Sequence, residues 1–406
     1  MPVIELEAFP GSRSRENFGS ATGLDEIRAN CRKLTELVHP SMLAGNLPSA
    51  VRDLLAETKL IGAMIPQTYG GLGLDCSVRL DIIVETARLS PEVGAFLQIA
   101  QLGTAMLLDF GTDAQRREWL PRLASGERIC TLAITEEDSG SHISACSTRY
   151  HRTHSGFVLN GEKWMIGNAP IADIHAVFAR DELTGEMSVF LVDGKASGVD
   201  SDRAQATRGL RNFPFGAVKL TDAYVPFENV IGRLGEGQNL AHQVIARHGR
   251  LSLTGLALGI HQRIFETVCD FAQQRQLYGK PLSDLPDVRT RIFHIFSNLE
   301  QARSVVFRAV DVERNNGNSG VLLALAKQVN SELACKSALL GMEVFGGRAN
   351  LQEMEIGQLL LDATMTLAPS GTSDILKKRI LEDVLNERPI RWIKNSPNFG
   401  EKNGYS

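Results

Sequence analysis

The amino-acid sequence predicts an α+β protein in three consecutive parts. These are an N-terminal helical domain over residues 1–130, a middle β domain over 131–236 and a C-terminal helical bundle over 237–406. Two changes in the spacing of apolar residues carry this prediction. The spacing is helical up to about residue 130, gives way to short β-prone runs, and becomes helical again after about residue 237. This order excludes a β-α-β alternation.

The first part has two apolar stripes in which residues recur every three or four positions, as on one face of a helix. Their members are Val51, Leu54, Leu55, Leu60, Ile82, Ile83, Ala87 and Leu89. Helix-breaking residues lie between and after the stripes, at Pro66, Gly70 and Ser90-Pro91. The first part is therefore predicted to be helical.

The middle part consists of short runs of β-branched and aromatic residues, separated by turns of Gly, Asn, Asp and Ser. These runs are Phe157–Leu159, Ala176–Phe178, Val189–Val192 and Ala217–Leu220. We expect a compact β domain here. No G-x-G-x-x-G motif follows a strand, so a nicotinamide-binding Rossmann fold is not expected.

The last part returns to helical spacing after Gly235-Glu236-Gly237. The spacing predicts helices over Leu240–Gln274, Asp287–Asn315, Ser319–Val344 and Gly371–Asn386. Long helices that follow one another through short connections are typical of a bundle.

Composition excludes several classes of function. The 406 residues are 43% hydrophobic and carry a net charge of −4, without a run of Lys and Arg that would bind nucleic acid. The longest apolar stretches are shorter than the roughly 20 residues of a membrane span. Met1–Gly19 lacks the pattern of a signal peptide, which predicts a cytoplasmic protein. The six cysteines have no C-x-x-C pair or suitable histidine spacing, so we predict no metal.

Several short motifs follow one another in a fixed order along the chain. Those of the first part are GAMIP at Gly62–Pro66, YGGLG at Tyr69–Gly73, GT at Gly111–Thr112, WLP at Trp119–Pro121 and SGE at Ser125–Glu127. With the motifs described next, they make the chain resemble the acyl-CoA dehydrogenase family from about Asp25 to Asn386. The resemblance implies FAD as cofactor, an acyl thioester as substrate, a barrel-like middle domain, a four-helix C-terminal bundle and a homodimer or tetramer.

The motif AITEEDSGSH at Ala133–His142 is similar to the stretch with which the family surrounds the flavin ring and the FAD pyrophosphate. The FAD-binding residues that it implies are Ile134, Thr135, Gly140 and Ser141. The motif NGEKWMIGN at Asn160–Asn168 follows, where Met165 stands for the family's ring-packing Trp and Gly167 for a Thr that meets flavin N5. Both positions are implied to contact FAD.

The third part carries RQLYGKP at Arg275–Pro281, which is similar to the family's R-x-x-F-G-x-P. The resemblance implies that Arg275, with Tyr278 beside it, reaches the FAD pyrophosphate of a neighbouring subunit. A planar guanidinium suits this role because it can bind two phosphate oxygens. The other FAD-binding residues implied in this part are Glu343, Gly346, Gly347, Thr372 and Asp374.

The sequence departs from the family where the catalytic base belongs. The family's base is a carboxylate just before the G-T of the C-terminal turn or, in some members, just before an Arg near the start of the bundle. These positions are Ser370 and Gly249 here, and neither can take up the α-proton of a thioester. Arg250 remains, and by resemblance it lies beside the base and the thioester.

Three functions stay open at this point. The first is dehydrogenation of an unusual acyl thioester, on CoA or a carrier protein, with Glu136, Glu137 or Asp362 as the replacement base. The second is a flavin monooxygenase of the same fold, which needs no α-proton base. The third is a non-oxidative FAD-binding member. The electron acceptor is expected to be another flavoprotein or oxygen.

Overall fold

The computed structural model describes residues 29–33, 37, 49–201, 203–315 and 317–386. Met1–Gly19 and the beginning of the family resemblance near Asp25 lie outside the described residues. Helices form the first part of the described chain, a sheet forms the middle, and helices form the remainder. The predicted α+β class is confirmed.

Among the described residues, the N-terminal part contains a short helical segment at 29–33 and four longer α-helices. They are α1 (Ser49–Glu57), α2 (Cys76–Leu89), α3 (Pro91–Phe110) and α4 (Asp113–Ala124). Local sequence explains where α2 and α4 begin. At the start of α2, Asp75 accepts hydrogen bonds from the Ser77 and Val78 N–H groups. At the start of α4, a capping box links Thr112 to Gln115. The Gln115 amide also donates to the Glu228 and Val230 carbonyls, each at 2.8 Å, and so ties α4 to the sheet.

Helix α3 lies in the core of the protein. It is long and apolar enough to span a membrane by length and composition, but 78% of its most apolar window is buried inside the protein. Its Gly103 lies so close to β1, at Cys130 and Thr131, that a side chain there would collide with the strand backbone. We therefore interpret α3 as a core helix that packs between the sheet and the C-terminal helices.

The described residues of the middle part form one mixed sheet of eight strands. They are β1 (Cys130–Ala133), β2 (Arg149–Arg152), β3 (Gly156–Gly167), β4 (Ile174–Asp181), β5 (Met187–Asp193), β6 (Val199–Asp200), β7 (Phe215–Pro226) and β8 (Val230–Ile231). The strand order is β6-β7-β3-β2-β4-β5-β8, and β1 pairs with β4 in parallel. The ladder between β3 and β7 is irregular between Lys163 and Ile166. This irregularity turns Met165 out of the ladder, with a φ of 57°.

Up to residue 386, where the described chain ends, the C-terminal part contains a long interrupted helix, a short hairpin and four further helices. They are α5 (Gly237–Val244), a π-helical turn (Ile245–Gly249), α6 (Arg250–Gln274), the hairpin strands β9 (Gln276–Leu277) and β10 (Lys280–Pro281), α7 (Pro286–Arg314), α8 (Gly320–Phe345), α9 (Glu355–Thr364) and α10 (Ser373–Asn386). The predicted helices agree with these within a few residues, except that one continuous helix was expected where α5, the π turn and α6 follow one another.

The π turn has one more residue than an α-helical turn, and such turns are frequent at functional sites. Its His248 is hydrogen-bonded to Asp109 near the end of α3, with 2.8 Å between Nε2 and Oδ2. Its last residue is the buried Gly249. The turn therefore joins α3 to the C-terminal helices beside the predicted base position.

Candidate active site

The two predicted base positions lie next to each other in space. Gly249 ends the π turn, and Ser370 lies in the connection between α9 and α10 with a φ of 56°. A Cβ atom built on Gly249 would lie 2.9 Å from Ser370 Oγ and 3.7 Å from Leu102 Cδ1. A carboxylate from either position would enter the same space. The two positions are far apart in the sequence and adjacent in the structure.

Arg250 follows Gly249 and is 6% exposed. Its Nη1 donates weakly to the Gly320 carbonyl at 3.4 Å, and its Nε has no hydrogen-bond partner among the described residues. Burial, and next the charge of Arg379, lower the pKa of Arg250 to about 10, so it remains cationic at neutral pH. A buried cation with an unused N–H is suited to binding a carbonyl oxygen or an anion.

Lys327 on α8 holds the turn that carries Ser370, and the sequence analysis did not identify it. Its side chain is fully buried, and Nζ donates to the Leu367 carbonyl at 2.7 Å and to the Gly371 carbonyl at 2.8 Å. Burial, and more weakly the charge of Arg250, lower the pKa of Lys327 to about 8. A single lysine after the apolar run Val321–Ala326 was the available signal, because a lone cation in an apolar stripe needs buried partners.

Glu136 is held in a network that makes it a poor base. It accepts hydrogen bonds from Lys163 Nζ at 2.7 Å, from Thr148 and from Ser147. Although burial opposes ionisation, the Lys163 charge and these hydrogen bonds hold the pKa of Glu136 well below its usual range. Its role is structural, because Lys163 also donates to the Ile134 carbonyl at 3.1 Å and so fixes the predicted flavin-binding stretch.

The two other candidate bases lie in different surroundings. Glu137 is exposed. Asp362 is 2% exposed and accepts hydrogen bonds from Leu210 N–H and Gln358 Nε2, each at 2.7 Å. Burial, and next the charge of Glu92, raise the pKa of Asp362 to about 7. Asp362 thus supports the loop before β7, and its hydrogen bonds are to that loop and to its own helix.

The predicted flavin-edge residues lie at the end of β3. Met165 is 52% exposed, as expected of a side chain that a bound ring would cover. A Cβ atom on Gly167 would lie 2.7 Å from Phe213 Cζ and 3.0 Å from Ile99 Cγ1. Phe213 therefore fills the space that a threonine at this position would need. Sequence reasoning missed Phe213 because it lies on a separate loop.

The other predicted residues of the middle domain lie on the loop that follows β1. Ile134 is buried, Thr135 is half-buried, and Gly140 and Ser141 are exposed. The Thr135 carbonyl accepts the Trp164 N–H at 2.8 Å, which keeps this loop beside β3. Ile134, Thr135, Met165 and Gly167 are thus brought to one end of the sheet.

Arg275 and Tyr278 project from the short hairpin after α6. Its turn residues Tyr278 and Gly279 have φ values of 54° and 74°, as in a two-residue hairpin turn of type I′. Tyr278 is 84% exposed, and the Arg275 side chain makes no hydrogen bond or ion pair within the described chain. Both side chains are therefore available to a ligand or to another subunit.

A cavity of about 640 Å³ lies beside the hairpin, lined among others by Arg275, Phe271, Phe345 and Arg348. The rings of Phe271 and Phe345 stack with their centroids 3.8 Å apart.

Gly346 and Gly347 border this region, and a Cβ on either would have no described atom within 4 Å. Bare backbone beside an unpaired guanidinium fits a flat, anionic cofactor such as FAD, because the backbone can approach it closely. Glu343 is already paired, since it accepts a hydrogen bond from Arg291 Nε at 2.7 Å. Thr372 and Asp374 lie at the start of α10, where Thr372 Oγ1 accepts the Ile375 N–H at 3.4 Å.

Comparison with known proteins relates this geometry to one family. Three family models match consecutive parts of the chain: the N-terminal domain of acyl-CoA dehydrogenase at residues 24–127, its middle domain at 131–223 and its C-terminal domain at 235–385. The acyl-CoA dehydrogenase of Bacillus subtilis (strain 168) is 31% identical over 320 residues, which cover 78% of this chain and 84% of that protein.

Two further similarities are to a dehydrogenase named for a carrier-protein substrate and to a solved structure that contains FAD. An L-prolyl-[peptidyl-carrier protein] dehydrogenase of Pseudomonas fluorescens is 33% identical over 340 residues, which cover 82% of this chain and 89% of that protein. The solved structure of PigA with FAD and proline superposes with a TM-score of 0.82 at 25% identity, over 90% of this chain and 98% of that chain. The predictions of an FAD flavoprotein and of an oxidoreductase are confirmed: the chain belongs to the acyl-CoA dehydrogenase family.

Proposed function

We propose that the protein oxidises the acyl group of a thioester, presented on CoA or on a carrier protein, as a step of a specialised biosynthetic pathway. The observation that carries this proposal is the buried Arg250 beside the space shared by Gly249 and Ser370. Bound FAD supplies the hydride acceptor. The similarity to both an acyl-CoA dehydrogenase and a carrier-protein dehydrogenase supports a thioester and leaves its carrier to experiment.

Arg250 is proposed to orient the substrate. Its unused Nε can donate to the thioester carbonyl oxygen, and this hydrogen bond would acidify the α-carbon by stabilising negative charge on that oxygen. Because Glu136 is strongly ionised and fully hydrogen-bonded, we do not assign the proton to it. The α-proton is therefore proposed to pass to water, and the acidity of the substrate itself must carry more of the reaction than it does when a carboxylate base is present.

FAD is proposed to bind between two surfaces. One is the end of the sheet with Ile134, Thr135, Met165 and Gly167, where the ring would cover the exposed Met165. The other is the region of Arg275, Gly346 and Gly347, with its free guanidinium and open backbone. We propose that the second surface serves the FAD of a neighbouring subunit, which requires a homodimer or a tetramer.

The exposed apolar side chains of the C-terminal part support such an assembly. Tyr278 is 84% exposed, Phe293 63% and Leu339 55%. Large apolar residues at the surface are common in subunit interfaces. Sedimentation tests this proposal, and a monomer with full FAD occupancy would contradict the shared site. The cytoplasmic location and the electron acceptor, a flavoprotein or oxygen, remain proposals.

Anaerobic mixing of the purified yellow protein with a panel of thioesters tests the function. Loss of the oxidised-flavin absorbance with a CoA or carrier-protein thioester is the expected result. The second candidate function is a flavin monooxygenase, which the absence of a carboxylate at Gly249 and Ser370 favours. Flavin that stays oxidised with every thioester, but turns over with oxygen and a reductant, would support that candidate instead.

A further inference from the structure

Helix α3 presents two glutamines to the region of the base positions. Gln98 is 5% exposed and Gln101 is 2% exposed. Gln98 Oε1 accepts a hydrogen bond from Ser252 Oγ on α6 at 3.1 Å, so this face of α3 contacts the start of α6. Leu102, four residues after Gln98 and therefore on the same face, reaches within 3.7 Å of a Cβ built on Gly249. Gln101 lies three residues after Gln98, on the adjoining part of that face.

Gln101 is the unusual member of this face. Its Oε1 and its Nε2 are both buried, and neither has a hydrogen-bond partner within the described part of the chain. A buried amide without partners lowers the free energy of unfolding, and buried polar groups are rarely left in this state. Leu97, Ala105 and Met106 on the same helix are apolar and offer Gln101 nothing to bind. The polar neighbours Gln98 and Thr104 are hydrogen-bonded to Ser252 and to the Ala100 carbonyl instead.

Ser252 connects the glutamines to the base positions. It is 4% exposed, and its hydroxyl, which donates to Gln98, also lies 3.3 Å from the Gly249 carbonyl oxygen. Polar groups therefore extend from Gly249, at the base position, through Ser252 to Gln98 in the interface between α3 and α6. An apolar acyl chain would leave the buried Gln101 amide without a partner, whereas an acyl group with its own donor and acceptor would satisfy it.

We propose that Gln98, Gln101 and Ser252 form a subsite for a small polar acyl group, one that carries a hydrogen-bonding heteroatom such as a ring nitrogen or oxygen. This inference rests on the proposed thioester function and specifies its substrate class. Gln101 provides one donor and one acceptor, Gln98 is oriented by Ser252, and Arg250 remains for the thioester carbonyl. The cationic Arg250 nearby favours a neutral substituent over an ammonium group.

The test compares three thioesters of pantetheine whose acyl rings have nearly the same shape. Cyclopentanecarbonyl-pantetheine has no heteroatom in the ring, tetrahydrofuran-2-carbonyl-pantetheine has an acceptor, and prolyl-pantetheine at alkaline pH has a neutral donor and acceptor. Binding to the FAD-loaded protein is measured by calorimetry and by perturbation of the flavin spectrum, so that no turnover is needed. We expect the two heterocyclic esters to bind about tenfold more tightly than the cyclopentane ester.

Gln101→Leu provides a second, independent measurement. Leucine has a similar volume and needs no partner, so this variant should melt at a higher temperature than the wild type while losing the preference for the heterocyclic esters. Exposed Gln301 offers a matched control, because Gln301→Leu should change neither property. A lower melting temperature for Gln101→Leu would mean that Gln101 is satisfied within the fold, for example by buried water, and would overturn the proposal.

Two results separate this proposal from the proposed function. Equal binding of all three esters would overturn the polar subsite and leave the thioester function standing. No binding of any ester to protein that contains FAD would count against both.

Discussion

A Cβ atom on Gly249 would lie 2.9 Å from Ser370 Oγ, which is closer than nearly all observed contacts of a Cβ. The two positions at which this family places its catalytic carboxylate are therefore alternatives for the same space. A large side chain at one position requires a small one at the other. In this protein both are small, and the space between α6 and the turn before α10 contains no carboxylate from either.

Restoring the base should make the protein act on simple saturated acyl-CoA substrates. Wild type should bleach its flavin very slowly with them, because general base catalysis contributes about a hundredfold to ten-thousandfold. Ser370→Glu should raise the anaerobic bleaching rate by about a hundredfold or more. Gly249→Glu alone should gain less, because its Cβ meets Ser370 Oγ, and Gly249→Glu with Ser370→Gly should recover the gain.

Ala368→Glu is the control for that experiment, because it adds a carboxylate to an exposed position of the same turn. An equal gain from Ala368→Glu would show that placement of the carboxylate is irrelevant. Brisk bleaching by the wild type would show that a base lies elsewhere.

Removing the Arg275 guanidinium should weaken FAD binding. If Arg275 pairs with the pyrophosphate in a desolvated site, Arg275→Ala should cost roughly 2–4 kcal/mol of binding free energy, and Arg275→Lys less. Equilibrium dialysis of FAD measures this directly. The exposed Arg233 provides the matched control. Equal FAD retention by Arg275→Ala and Arg233→Ala would make Arg275 an ordinary surface residue.

Lys327→Met should loosen the turn that carries Ser370. The Leu367 and Gly371 carbonyls would lose their charged donor, which should lower the free energy of unfolding by about 1–3 kcal/mol. In the Ser370→Glu background the same change should also abolish the gain in bleaching rate, because the new carboxylate would no longer be held in place. Lys327→Arg keeps a cation and should retain part of the gain. A Lys327→Met/Ser370→Glu protein that bleaches as fast as Ser370→Glu would refute a positioning role.

Ionisation of Asp362 should make stability depend on pH. Its folded pKa of about 7 lies above the ordinary value of 3.8, so the stabilising contribution of its protonated form is complete below about pH 4 and is lost as pH rises through 7. The amide of an Asp362→Asn variant cannot ionise, and its oxygen can still accept from Leu210 and Gln358. The stability advantage of Asp362→Asn over wild type in urea unfolding should therefore grow by on the order of 2 kcal/mol between pH 5 and pH 8.

Glu92 is the larger of two negative charges that raise the pKa of Asp362, the other being Glu355. Glu92→Gln should therefore produce part of the same gain, and the two gains should not add. The exposed Asp138 supplies the control, since Asp138→Asn should show no such pH dependence. A gain for Asp362→Asn that is the same at pH 5 and pH 8 would contradict the assigned ionisation.

The long C-terminal helices and the four longest strands could be predicted because each depends on neighbouring residues, whereas α9 and the shorter strands were not predicted. The spacing in Asp287–Asn315 and Ser319–Val344 is local, and α7 and α8 appear within a few residues of those bounds. The site depends on contacts between distant segments. The contact of Phe213 with Gly167 and the meeting of Ser370 with Gly249 leave no trace in any short stretch of sequence. Glu136 shows the same limit, because residue type made it a candidate base and only its contact with Lys163 removes it.

The π turn at Ile245–Gly249 also sets how α5 is rotated about the helix axis relative to α6. One additional residue within a helix turns everything on one side of it by about 100° relative to the other side. His248, which is hydrogen-bonded to Asp109, lies within the turn, whereas Arg250 is the first residue of the regular helix that follows. Shortening the chain by one residue within this turn would keep nearly every amino acid and yet point α5 in another direction relative to α6. In this segment, the number of residues determines where Arg250 points as strongly as their identity does.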